Sequence, residues 1–121
     1  MRIETFKAWL DKLVDIWESK KPSAVAELCA EEFNWFETPF SNPITIKKDL
    51  FKEWESVLMQ EGVAVSYNIL CIKESTCFAH WTANFTRKTS KENVSLDGIF
   101  QVTLDKQGKC TEFRQWYNTK R

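Results

Sequence analysis

Along the first half of the chain, apolar residues recur at alternating steps of three and four. Ile3, Phe6, Leu10, Leu13 and Trp17 share one face of a helix over 3–19, and Trp9, Val14 and Ile16 widen that face. Pro22 suits the first turn of a second, short helix, because an N–H there would have no partner within the helix. Val25, Leu28 and Cys29 give this helix its buried side. Phe33 to Glu37 then read as a strand, stopped by Pro39 and the Ser41-Asn42-Pro43 turn. A third helix is expected over 46–59, packing through Ile46, Leu50, Phe51, Trp54, Val57 and Leu58.

After Gly62 the period changes from helical to alternating, and strands are expected over 64–73, 77–87, 94–104 and 110–118. The last three are joined by Ser90-Lys91-Glu92-Asn93 and Lys106-Gln107-Gly108-Lys109, both short enough for antiparallel hairpins. Pairing about these turns sets Trp81 near Phe100, Ala79 near Val102, Ala83 near Gly98 and Phe85 near Leu96. Phe113, Gln115 and Tyr117 join that face. The opposite face collects His80, Thr82, Asn84, Asp97, Ile99, Gln101, Arg114 and Trp116. One side of the sheet is therefore apolar, for the helices to cover, and the other is mixed. With no repeat, low-complexity tract or linker, residues 1–121 read as a single α+β domain.

The aromatic content changes this picture. Six Trp, nine Phe and two Tyr in 121 residues exceed what closing a small core requires, so some rings are expected to line a cavity or an interface. Charge removes other readings. Seventeen basic residues balance seventeen acidic ones, and Lys47-Lys48 sits beside Asp49 and Glu53, so no basic stripe supports a nucleic-acid partner. Cys29, Cys71, Cys77 and Cys110 form no C-x-x-C pair, and with His80 alone no ordinary metal set is available. Met1-Arg2-Ile3-Glu4 opens directly into an amphipathic helix, and no apolar run approaches a bilayer span. A cytoplasmic protein with reduced thiols and no membrane partner is the expectation.

The order helix, helix, strand, helix and four antiparallel strands resembles the nuclear-transport-factor-2-like superfamily. Trp35-Phe36-Glu37-Thr38-Pro39-Phe40, followed by Pro43, the third helix and Trp54, looks like the strand-turn-helix signature of its SnoaL-like branch. Leu96-Asp97-Gly98-Ile99-Phe100, running through Gly108 to Phe113-Arg114-Gln115-Trp116-Tyr117, looks like that branch's closing hairpin. The resemblance implies a cone-shaped α+β barrel, with three N-terminal helices packed on a strongly bent antiparallel sheet. It departs in lacking the glycine often found before the third helix, where Ile44-Thr45-Ile46 stands.

The superfamily houses isomerases, hydratases, epoxide hydrolases, cyclases and members without chemistry, so residues must decide function. Against the ketosteroid isomerase pattern, Thr38 stands at the base, Leu10 at the tyrosine and Phe100 at the protonated aspartate. Gln115 stands where the epoxide hydrolases resembled here place a carboxylate, and an amide cannot take the proton. Glu37 and His80 remain as candidate general bases. Thr38, Trp81, Phe100, Phe113, Gln115 and Tyr117 are the candidate ligand contacts.

The leading expectation is a protein that binds a small apolar or aromatic molecule in a pocket of roughly 300 Å³ or more, without cofactor or metal. A cofactor-independent lyase, isomerase or cyclase using Glu37 or His80 is the second. An interaction module working through the outer sheet face is the third. A homodimer through the face carrying Ile99 and Trp116 is expected to cover both side chains.

Overall fold

The structure is a computed structural model describing residues 1–121. Helix α1 (Ile3–Glu18) buries Phe6, Trp9, Leu10, Leu13, Ile16 and Trp17, the face that the three-and-four spacing marks, except that Ile3 at its start is exposed. It stops where Lys20 turns left-handed (φ 54°) and Lys21 N–H reaches back to the Ile16 carbonyl at 3.0 Å. The segment expected as a second helix is a 3-10 helix, Pro22–Leu28, which runs directly into strand β1 (Cys29–Phe36). The Trp9 indole N–H donates to the Leu28 carbonyl at 3.0 Å and ties this junction to α1.

Beyond β1, Trp35 and Ile44 exchange backbone hydrogen bonds of 2.9 and 2.8 Å, so the 37–43 loop folds back as a closed reversal. Helix α2 (Lys47–Trp54) follows, tightening into a 3-10 turn over Glu55–Met59. The third helix expected over 46–59 is thus α-helical only in its first part. No helix is long and apolar enough to cross a membrane.

Strands β2 (Gln60–Lys73), β3 (Thr76–Arg87), β4 (Asn93–Leu104) and β5 (Cys110–Lys120) pair antiparallel in sequence order. The fold is α+β as expected, with a sheet that is mixed rather than purely antiparallel. Strand β1 runs parallel to β5, giving the order β1-β5-β4-β3-β2. The sheet stays open, with β1 and β2 as its edges.

The face assignment matches the structure while the register does not. Ala79 pairs with Phe100, Trp81 with Gly98, Ala83 with Leu96 and Phe85 with Val94, a shift of two residues from the expected pairs. The loop causes it. Arg87 N–H bonds the Glu92 carbonyl and Lys91 N–H bonds the Arg87 carbonyl, with Lys91 left-handed (φ 61°), so the turn centres earlier than Ser90-Asn93 suggests. A two-residue shift keeps every side chain on its face. Trp81 and Phe100 still stack, now as diagonal neighbours, with centroids 4.8 Å apart and planes within 8°.

Twenty-four buried residues form one core between the helices and the inner sheet face. Cys29 and Cys110 sit there as register partners on β1 and β5, both as free thiols. The Cys110 thiol is pushed well above its usual range by its neighbour Cys29 and by burial.

Candidate functional site

Strand β1 places the site's central group. Phe33 and Trp35 point inward and are buried, and Glu37, two residues on, continues that parity. Its carboxylate is held from both sides. The Trp35 indole N–H donates to Glu37 Oε1 at 2.8 Å. From β5 the Gln115 amide donates to Glu37 Oε2 at 2.9 Å and to the Glu37 carbonyl at 3.0 Å. No lysine, arginine or histidine is among these partners. Burial pushes the Glu37 carboxyl up from an ordinary 4.5 to about 7. Nearby Glu53 adds to the rise, and the N–H donors of Trp35, Trp54 and Gln115 oppose it.

The carboxylate opens onto a cavity of about 170 Å³ under the helices. Trp81, Phe100 and Leu96 line it from β3 and β4, and Gln115 and Tyr117 from β5. Trp17, Glu53, Trp54, Ser56, Val57 and Gln60 complete the wall from α1, α2, the 3-10 turn after it and the start of β2. At its edge the Trp17 indole N–H donates to Gln60 Oε1 at 2.7 Å. The Tyr117 hydroxyl is shifted up, by burial first and then by the charges of Glu37 and Glu53. The indole nitrogen of Trp81 is buried with no hydrogen-bond partner.

Of the residues singled out from sequence, Glu37, Trp81, Phe100, Gln115 and Tyr117 converge here. Three do not. The Thr38 hydroxyl bonds that of Ser41 at 2.6 Å within the turn after β1, because its parity is opposite to that of Glu37. His80 lies on the outer sheet face, its Nε2 2.8 Å from Asp97 Oδ1. Phe113 has the expected face but sits under Trp35, its register partner, stacked with centroids 3.9 Å apart. Neither ring lines the cavity, which at about 170 Å³ is smaller than the roughly 300 Å³ expected.

Sequence reasoning missed Glu53, Gln60, and the lining roles of Trp17 and Trp54. Both tryptophans fall on helical core spacing, which carries no sign of a cavity. The inward parity of Phe33, Trp35 and Glu37 was the available signal for Glu37.

A wider groove between α1 and the β4–β5 turn is open to solvent, with Asp11, Lys12, Asp15 and Lys109 among its charges of both signs. No three His, Cys, Asp or Glu side chains cluster as a metal site.

No protein-family model and no curated protein matches the chain. Solved structures do. SalBIII, an epoxide hydrolase/cyclase-like enzyme in pyran ring formation in the polyether salinomycin, superposes with a TM-score of 0.81 at 14% identity. The match covers 98% of this chain and 95% of that one. The fold is nuclear-transport-factor-2-like. A candidate isomerase from Bacillus subtilis superposes as well, with a TM-score of 0.84 at 15% identity over 98% of this chain and 90% of that one.

Proposed function

We propose that this SnoaL-like domain is a cofactor-independent enzyme of the isomerase, lyase or cyclase kind, with Glu37 as its general acid–base. The observation that carries the reading is the Glu37 carboxyl at an aromatic cavity, fixed at both oxygens and balanced between its two protonation states near neutral pH. Acid–base catalysis is most efficient when the group's pKa lies near working pH. The likeness in fold to an epoxide hydrolase/cyclase-like enzyme and to a candidate isomerase supports this reading.

The cavity suits a molecule of about one ring, since cavities near 150 Å³ accept benzene. Trp81 and Phe100 supply its apolar wall, while Gln115 acts on Glu37 as a positioning residue. Pure binding of a small apolar molecule is the second reading, favoured by the enclosing rings. Selective ¹³C labelling of glutamate side chains tests the first. Glu37 is expected to titrate near 7, and a midpoint in the ordinary carboxylate range overturns the acid–base reading. Against small epoxide and carbonyl substrates, Glu37→Gln is expected to lower turnover by about 10²-fold or more.

A further inference from the structure

We propose that the ligand of this cavity is a small organic cation, an ammonium carrying a hydroxyl or carbonyl oxygen, enclosed by aromatic rings and by the Glu37 and Glu53 carboxylates. This deepens the preceding reading, and rests on it in taking the cavity as the working site.

The wall chemistry is one-sided. Twelve residues line the cavity; two of them are carboxylates, five are aromatic, and none is Lys, Arg or His. Lys20, the cation on the Gln60 side, is engaged by the Gln60 carbonyl at 2.7 Å. An anionic ligand would meet two carboxylates with no cation to offset them. A neutral apolar one needs neither the carboxylates nor so many indoles. The rings also stand at several inclinations. Trp17 makes 72° with Trp54 and 58° with Trp81, and Tyr117 makes 56° with Trp81, all at centroid distances of 5.7 to 6.0 Å. Non-parallel ring walls give an ammonium more than one π system to face.

The oxygen follows from Trp81. Its indole N–H is the single buried side-chain polar atom without a partner, and a buried donor left unmet is unfavourable. With a turn of the Trp81 ring toward the cavity, a hydroxyl or carbonyl oxygen beside the ammonium would satisfy it.

Binding then changes the state of Glu37. In the ligand-free protein Glu37 faces Glu53 and Trp54 of α2, Trp35 of β1, and Gln115 and Tyr117 of β5, none of them cationic. A cation placed among them favours the carboxylate, so binding below about pH 7 expels a proton from Glu37. The ligand itself thus converts Glu37 into a base.

The test titrates the full chain with choline and with 3,3-dimethyl-1-butanol, its uncharged isostere, following the indole N–H resonances. Choline is expected to bind about tenfold or more tightly than the isostere at pH 8, with the Trp81 signal moving most. Choline affinity should fall severalfold between pH 8 and 5.5 while the isostere's does not. Glu53→Gln should weaken choline alone. Equal or tighter binding of the isostere, or no saturation by choline or tetramethylammonium, overturns the proposal. The two readings fail separately. If ligand-free Glu37 titrates near 7 and choline does not bind, the acid–base site stands and the cation falls; if choline binds and Glu37 titrates in the ordinary range, the reverse holds.

Discussion

Glu37 shows how one carboxyl couples chemistry to stability. Its folded value of about 7 lies above the ordinary 4.5, so between those values the folded chain holds a proton that the unfolded chain has released. Stability therefore falls as pH rises through that window, by up to about 3 kcal/mol, and is level above it. Glu37→Gln does not titrate and should lack this loss. Urea unfolding of both proteins at about pH 4.5 and pH 8 should show the wild-type chain losing ground to the variant, and parallel curves would refute the assignment. Glu37 was within reach of the sequence because strand alternation extends from Phe33 and Trp35. Setting Thr38 among the ligand contacts, after the ketosteroid isomerase pattern, pointed the wrong way. Nothing in the sequence marks Glu53, an exposed charge on a helix whose apolar spacing reads as ordinary packing.

Among the elements, the β4–β5 pair makes the cavity possible. Gly98 is register partner to Trp81 on one side and Tyr117 on the other, and shares the inner face with Leu96 and Phe100. A β-carbon there would collide with the Trp116 carbonyl oxygen and lie 2.7 Å from Tyr117 Cβ. The obstacle is backbone, which cannot swing aside, so β5 approaches β4 only because position 98 is glycine. Gly98→Ala should cost about 2 kcal/mol or more in unfolding free energy, through overpacking, and displace the Tyr117 ring. A neutral variant with unchanged Tyr117 resonances would contradict this. Periodicity located the strands and their faces well, because alternation is local. The parallel pairing of β1 with β5 was not legible, since nothing in either segment names so distant a partner.

At the scale of the whole molecule, the outer sheet face remains to be explained. His80 with Asp97 and Arg114 with Glu112 give it a polar ground, on which Trp116 is exposed beside its half-buried register partner Ile99. The proposed homodimer joins two such faces and should run as twice the monomer mass in light scattering at micromolar concentration. Trp116→Asp should shift it to monomer, and a wild-type monomer at high concentration would dispose of the idea. A cone filled throughout by its own side chains would have favoured the third expectation, an interaction module. The space beside Glu37 favours chemistry inside the cone.

The pairing of the first strand with the last also has a consequence in time. Glu37 and Gln115 are 78 residues apart, and the contact that aims the carboxylate joins the first strand in sequence to the last. During synthesis β1 emerges early and waits without a neighbour until Cys110–Lys120 has been made. Closing so long a loop is entropically costly and slow compared with forming the β2–β3–β4 hairpins, which pair with near neighbours. The Glu37–Gln115 contact is therefore among the last that the growing chain can make, after the β2–β3–β4 hairpins have their partners in hand.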